Sequence, residues 1–161
     1  MVLLQSLSDS AWEIRIKATD LSKRVLETAS RGVWPAESAR EIPLPHLKKY
    51  ILKGIRQHDG KIKARQELRS VIEFFRLNSK DASYPFNYRF DLIFCRNVLI
   101  YFDPKTRRQV VARLLSYLRP DGYLFLGHAE GIPQACAPVK MIIPTVYQLV
   151  EGWDGTDAIS R

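Results

Sequence analysis

The sequence has few cysteines and no long apolar run. Its two cysteines, Cys95 and Cys136, lie far apart, with neither a CxxC spacing nor a histidine companion. This excludes a disulfide framework and a zinc site, so we expect buried thiols and no metal. No stretch approaches the length that crosses a bilayer, and the start MVLLQSLSDS lacks the basic segment of a secretory signal. We therefore expect a cytoplasmic protein without membrane insertion.

The charge balance favours an acidic partner. The 161 residues include 25 Lys and Arg against 17 Asp and Glu, which gives a net charge of +8. Nucleic acid, an anionic membrane surface or an acidic protein would each suit that charge. The basic residues lie in short scattered groups without interleaved aromatic residues, as expected of solvated helix and loop faces. We do not expect a nucleic-acid partner.

The C-terminal half reads as a βαβ unit. Phe90 to Val98 is almost uninterrupted in its apolar character, which predicts a strand covered on both faces. Asp103-Pro104 has the pattern of an N-cap and a first helical residue, and an apolar stripe at helical spacing follows. Pro120-Asp121-Gly122 predicts a turn into a second strand, Tyr123 to Gly127. Met141 to Val150 predicts one closing strand.

The N-terminal half predicts shorter elements. Trp12 to Asp20 alternates apolar and polar residues as a strand does. Ser22 has the features of an N-cap for a helix that stops at Gly32. The further predictions are an irregular segment at Trp34 to Pro45, a short helix at His46 to Leu52, an antiparallel pair at Tyr50 to Gly54 and Lys61 to Leu68, and a strand at Val71 to Leu77.

Two long motifs resemble one known family. The run FCRNVLIYFD, followed by LRPDGYLFLGHAE, is similar to the C-terminal half of CheR-type chemotaxis receptor methyltransferases. The similarity continues upstream through IKATDLSKRVLETASRGVW and YILKGIRQHDGKIKARQELRSVIEFFRLN, and downstream to PTVYQLV. It covers nearly the whole chain.

The resemblance implies a fold and an activity. The fold is α/β, a Rossmann-like class I methyltransferase sheet over residues 1–150, with a small antiparallel β-subdomain at about 46–70 that is implicated in contacting the receptor. Residues 151–161 would form a frayed tail. The implied cofactor is S-adenosylmethionine, with S-adenosylhomocysteine as product. The implied substrate is a glutamate side chain in the cytoplasmic domain of a chemoreceptor.

This chemistry explains why the core motifs show no paired carboxylates and no Ser/His/Asp arrangement. A glutamate carboxyl with a pKa of about 4.3 is already ionised at neutral pH, so methyl transfer to it needs no general base. The protein contributes by positioning the reactants and excluding water.

Two predicted strand ends carry the first candidate cofactor residues. By resemblance, Asp20 binds the ribose, because a carboxylate can accept from both hydroxyls. The residues alone favour a cap for the following helix instead. Asn78 matches an asparagine near the adenine, although on sequence alone an asparagine that satisfies loop backbone is as good an interpretation. Ser79 follows it where many relatives have an apolar residue, which affects the fit of the adenine pocket.

The third strand end carries the remaining candidates. Arg96 and Asn97 stand at the edge where open α/β sheets bind ligands, and by resemblance they line the cofactor site. Tyr101 would approach the methyl group and the substrate carboxylate as the catalytic residue. From the residues alone, a tyrosine within LIYF is more typical of core packing.

Compared with the family pattern, the chain lacks an N-terminal helical domain, a first strand and a glycine-rich loop. Its first glycine is Gly32, and MVLLQSL resembles the helix after that loop. The absent strand would lie between those that end at Asp20 and Arg96, which predicts a sheet truncated and split there. The open edges would favour self-association. The alternative function is a non-catalytic CheR-like remnant that binds the receptor or another partner.

Overall fold

The computed structural model describes residues 1–7, 12–132 and 139–150. The chain divides between Asn78 and Ser79 into two compact units. Within the described ranges the α-helices are α1 (Val2–Ser6), α2 (Lys23–Arg31), α3 (Leu44–Tyr50), α4 (Gln66–Arg69) and α5 (Pro104–Ser116). The strands are β1 (Ile16–Asp20), β2 (Val33–Pro35), β3 (Ile51–Lys53), β4 (Lys61–Ala64), β5 (Ile72–Arg76), β6 (Phe90–Cys95), β7 (Leu118–Leu126), β8 (Val139–Ile143) and β9 (Val146–Leu149). None of the described helices has the length and apolar character needed to cross a membrane.

A parallel pair of strands organises the first unit. Strands β1 and β5 run side by side, and Asp20 pairs in register with Arg76, so their carboxyl ends meet at one edge. Helix α2 connects to β1 as predicted. The Ser22 hydroxyl accepts from the backbone N–H of Val25, and Gly32 ends the helix at a φ of 63°. That left-handed conformation suits glycine because it has no β-carbon.

The β-subdomain is a three-stranded antiparallel sheet in the order β2-β4-β3. The predicted pair is confirmed in β3 and β4. Two details of the prediction are wrong: β2 lies within the segment expected to be irregular, and Gln66–Arg69 is helical instead of extended. Alternation along β4 buries Ile62 and Ala64 and exposes Lys61 and Lys63, as expected of an antiparallel sheet with one solvated face.

The second unit has a four-stranded sheet in the order β6-β7-β9-β8, with β6 and β7 parallel. Helix α5 begins as predicted, since the Asp103 carboxylate accepts from the backbone N–H groups of Lys105 and Thr106. Leu99, Val110, Leu115, Leu118 and Leu124 are the largest fully buried side chains of the core.

Two predictions for this unit are wrong. The segment predicted to turn at Pro120 lies inside β7, where the register with β6 shifts between Phe90 and Leu92, and such an irregularity accommodates a proline within a strand. The predicted single closing strand is the hairpin β8-β9. Its two-residue turn contains Thr145 at a φ of 67°. Glycine usually occupies such a position, and because threonine stands there the sequence does not signal the turn. The predicted tail and Cys136 lie outside the described residues.

The predicted split is confirmed, because the strands that end at Asp20 and at Cys95 belong to separate sheets. In the part of the chain that the structure describes, β1 pairs only with β5, and β6 only with β7. Each strand therefore has one edge whose backbone groups form no ladder with another described strand. Such an edge can pair with further backbone.

The passage of β7 through the proline segment depends on Gly122. A β-carbon there would lie 2.8 Å from the carbonyl oxygen of Asp91. We expect Gly122→Ala to lower the free energy of unfolding by about 1–3 kcal/mol, as overpacking does. Urea unfolding would measure it. Gly131→Ala is the matched control, since among the described residues its β-carbon would meet only the Tyr147 hydroxyl, at 3.8 Å. Equal effects of the two substitutions would contradict this account.

Candidate functional site

The loop that leaves β6 carries three of the predicted site residues. Arg96 and Asn97 follow the strand directly, and Tyr101 ends the short 3-10 helix Leu99–Tyr101. Asn97 has a φ of 59°, a left-handed conformation that costs a non-glycine residue energy but that asparagine tolerates better than most. A strained residue at the carboxyl end of a parallel strand indicates a site whose surroundings hold it in place.

The buried carboxylate of Glu130 holds this loop. Glu130 is 4% exposed. Its Oε1 atom accepts from the backbone N–H groups of Val98 (2.8 Å), Leu99 (2.7 Å) and Ile100 (3.3 Å). Its Oε2 atom accepts from those of Asn97 (3.0 Å) and Gly127 (2.7 Å). One side chain thus satisfies five backbone donors, which buried loop backbone needs because water is excluded.

The environment of Glu130 keeps the carboxylate ionised. Burial raises the pKa of this carboxyl, but the N–H donors of Gly127, Asn97 and Leu99 outweigh it, so the pKa lies below its usual value. Burial also raises the pKa of the Cys95 thiol to about 12, with help from the negative charge of Glu130. The thiol therefore stays protonated at neutral pH and is a poor nucleophile. Cys95 is the buried structural thiol that was expected.

Gly127 lets the loop and the carboxylate approach each other. A β-carbon at this position would lie 2.6 Å from Oε2 of Glu130 and 3.0 Å from Oδ1 of Asn97. Real β-carbons essentially never lie 2.6 Å from another atom, so glycine at position 127 permits the close approach of backbone and carboxylate. Strand β7 ends just before it, at Leu126, and so delivers Glu130 to the end of its parallel neighbour β6.

In the first unit, Asp20 and Asn78 lie at the same sheet edge. The backbone N–H of Leu77 donates to the carbonyl oxygen of Asp20 at 3.0 Å, and Asn78 is the next residue. The Asp20 Oδ1 atom accepts from the N–H of Ser22 at 2.7 Å, whereas Ser22 is itself the helix cap. Asp20 therefore does not cap the helix directly. Its Oδ2 atom accepts no hydrogen bond from the described residues.

Ser79, Arg96, Asn97 and Tyr101 belong to the second unit. Arg96 and Asn97 are exposed, and the Tyr101 side chain is 78% exposed. Tyr101 is therefore not a core residue of this unit, contrary to what its apolar context alone suggests. Its side chain is accessible to a ligand. The half-buried Ser79 uses its carbonyl oxygen to accept from Arg113 and Tyr84.

The residues present suit an adenosine ligand. Asp20 offers an unengaged carboxylate oxygen at a strand end, which is the chemistry that recognises ribose hydroxyls. The half-buried Asn78, beside it, carries an amide that can both donate and accept at a purine edge. Within the second unit, the loop after β6 carries the charged Arg96 and the polar Asn97 at a strand end. No described side chain provides a proton-transfer pair here, and methylation of a carboxylate needs none.

Sequence reasoning missed the part that Glu130 plays. Glu130 is only the last residue of the motif LRPDGYLFLGHAE, and four of its five N–H donors lie 30 to 33 residues earlier in the chain. One signal was present: an acidic residue shortly after a strand buried on one face, beside a glycine. That signal is weak because exposed loops carry the same residues.

Replacement of Glu130 by glutamine should destabilise the second unit strongly. Glutamine keeps one oxygen acceptor and replaces the other with an NH2 group. That group is a donor, so it would face backbone N–H donors and leave them without an acceptor. We expect Glu130→Gln to lower the free energy of unfolding by about 2–5 kcal/mol, measured by urea unfolding. The exposed Glu27→Gln on α2 is the matched control and should change stability little. A loss below about 1 kcal/mol for E130Q would contradict the role of the carboxylate.

The contribution of Glu130 should vanish in acid. Its folded pKa is lowered, so the stability that it contributes is complete above the unfolded value of about 4.3 and is lost as the pH falls through the folded value. The stability gap between the unmodified chain and E130Q should therefore be constant above about pH 5 and shrink below about pH 4. Unfolding at a series of pH values measures this. A gap that persists unchanged to about pH 2 would exclude the mechanism.

Comparison with known proteins places the chain in a family. The family model described as CheR methyltransferase, SAM binding domain, matches residues 1–147. Chemotaxis protein methyltransferase 2 of Pseudomonas aeruginosa is 35% identical over 147 residues, which are 91% of this chain and 52% of the relative. The chemotaxis protein methyltransferase of Escherichia coli is 34% identical over 149 residues, 92% of this chain and 52% of the relative. That of Borreliella burgdorferi is 40% identical over 138 residues, 85% and 47% respectively.

The chain spans about half the length of the curated relatives that it matches. A solved structure, the glycopeptide N-methyltransferase MtfA, is more distant, with a TM-score of 0.42, 17% identity, and coverage of 70% of this chain and 36% of that one. The assignment therefore depends on the sequence comparisons. The chain belongs to the CheR methyltransferase family, and its residues 1–147 correspond to the domain of that family that binds S-adenosylmethionine.

Proposed function

We propose that this chain takes part in S-adenosylmethionine-dependent methylation of glutamate side chains in chemoreceptors. Its membership of the CheR family, over residues 1–147, is the single observation that carries the proposal. The relatives named above are chemotaxis protein methyltransferases. The described residues provide no support for the alternative, a remnant that only binds a partner.

Each predicted site residue has a part in this proposal. When bound, S-adenosylmethionine supplies a methyl group on a positively charged sulfur, which a carboxylate oxygen takes in line while the sulfur keeps the electron pair of the broken bond. Asp20 binds the ribose and Asn78, with Ser79, the adenine. Arg96 and Asn97 line the site from the loop that Glu130 holds. Tyr101, exposed on that loop, orients the substrate carboxylate as the catalytic residue.

Charge supports an acidic protein as the partner. The net charge of +8 favours association with a glutamate-bearing surface. Lys61 and Lys63 are exposed on β4, in the β-subdomain that the proposal assigns to receptor contact. The cytoplasmic domain of a chemoreceptor as substrate implies a cytoplasmic location. The open edges of β1 and β6 are the surfaces through which the chain would self-associate.

Cofactor binding by the chain is tested by calorimetric titration with S-adenosylmethionine and S-adenosylhomocysteine. We expect saturable heat for both. Asp20→Asn should weaken binding about tenfold or more, because it removes a charged acceptor for the ribose hydroxyls. The exposed Asp59→Asn in the β-subdomain is the matched control and should bind as the unmodified chain does. Absence of heat at millimolar ligand would refute independent cofactor binding.

Methyl transfer is tested separately, with labelled cofactor and a chemoreceptor cytoplasmic domain. We expect Tyr101→Phe to lower the rate of labelling about tenfold while the dissociation constant of the cofactor stays unchanged, because it removes a hydroxyl that orients only the substrate. Receptor capture without any labelling would favour the non-catalytic alternative. A Y101F variant that also loses cofactor affinity would show that Tyr101 has a different role.

A further inference from the structure

The loop that follows Asn78 is held by helix α5 instead of by backbone pairing. Residues 79–84 contain no helix or strand. The Arg113 guanidinium donates from Nη1 to the carbonyl oxygen of Ser79 (3.1 Å) and from Nε to that of Ala82 (3.0 Å). The planar guanidinium thus spans two carbonyl groups of one loop, a geometry that lysine cannot reproduce.

A pair of tyrosines completes this arrangement. The Tyr84 hydroxyl donates to the same Ser79 carbonyl at 3.0 Å, and the Arg113 guanidinium lies 5.7 Å from the centre of the Tyr84 ring. The Tyr117 hydroxyl donates to the backbone carbonyl of Tyr84 (2.9 Å) and accepts from its backbone N–H (3.0 Å). The two rings stack with their centres 5.3 Å apart. We call Arg113, Tyr84 and Tyr117 the loop clamp.

The clamp is built to be persistent. Tyr84 is 7% exposed, and burial raises the pKa of its phenol, so the hydroxyl remains a donor throughout the physiological range. Both lone pairs of the Ser79 carbonyl oxygen are engaged, one by Arg113 and one by Tyr84. That oxygen is therefore not free to accept from a ligand, and its position is fixed by helix α5.

We propose that Arg113 is a positioning residue, which places the loop of residues 79–84, and Ser79 within it, for recognition of the adenine. The inference rests on the proposed function, because it assigns Ser79 to that ligand. In the described part of the chain, the side chain of Arg113 donates its hydrogen bonds to that loop. It acts by fixing the main chain at Ser79, so that the ligand meets a residue that is already in place.

The test combines hydrogen exchange with calorimetry on the full chain. In Arg113→Ala we expect exchange of the Tyr84 amide to rise about tenfold or more, while the amides of β6 and β7 keep their protection. The dissociation constant of S-adenosylhomocysteine should rise about tenfold. Arg113→Lys should resemble R113A, because an ammonium lacks the planar fork of separate nitrogen donors that spans the two carbonyl groups. Arg108→Ala, exposed on the same helix, is the control that should change neither quantity.

Exchange and binding distinguish the possible failures. Unchanged Tyr84 exchange in R113A, or faster exchange throughout the second unit, would overturn the positioning role. Normal cofactor affinity in R113A with a freed loop would also overturn it. If the unmodified chain binds no cofactor, the proposed function fails. Hydrogen exchange of the Tyr84 amide then still tests whether Arg113 holds the loop. Should R113A not fold, Tyr117→Phe removes one hydroxyl, keeps the stacked ring, and must free the Tyr84 amide in the same way.

Discussion

A buried carboxylate bound to backbone amides is the constraint on which the second unit depends. Glu130 collects five N–H donors from two separate segments, the loop after β6 and the end of β7. Without that acceptor the N–H groups of Leu99 and Gly127 would be buried without partners, and an unsatisfied buried amide costs about 1–3 kcal/mol. The Glu130 carboxylate thus holds the irregular loop after β6 in one conformation. Arg96, Asn97 and Tyr101 are displayed on that loop.

The two strand exits with irregular backbone are stabilised by the same strategy. After β6 a carboxylate accepts from main-chain N–H groups, and after β5 a guanidinium donates to main-chain carbonyl groups. In both cases a charged side chain from the neighbouring βα framework replaces the hydrogen bonds that a sheet would provide. The elements that hold the loops are regular and packed, while the residues that the loop after β6 presents remain exposed.

Local signals in the sequence predicted the framework well. The N-caps of α2 and α5, Ser22 and Asp103, accept hydrogen bonds from backbone N–H groups within three residues. Because these contacts are local, the sequence pattern predicts them. The strand positions of β5 and β6 follow from apolar runs. The hairpin turn at Thr145 and the irregularity of β7 were missed because tertiary pairing overrides residue preference there. The candidate site residues were found by motif, but Glu130 and Arg113 were not assigned roles, since their partners are about 30 residues away.

The contact between Gly127 and Asn97 has a consequence for sequence variation. A side chain at position 127 would clash with Oε2 of Glu130 and crowd Oδ1 of Asn97, and Asn97 itself adopts a left-handed backbone. The two positions are therefore not independent: the set of residues tolerated at one is limited by the volume left by the other. In homologues with glycine at position 127, this predicts that only asparagine, aspartate and glycine occur at position 97. Selection on the shape of this loop would then be recorded also at Gly127, which has no side chain with which to contact a ligand.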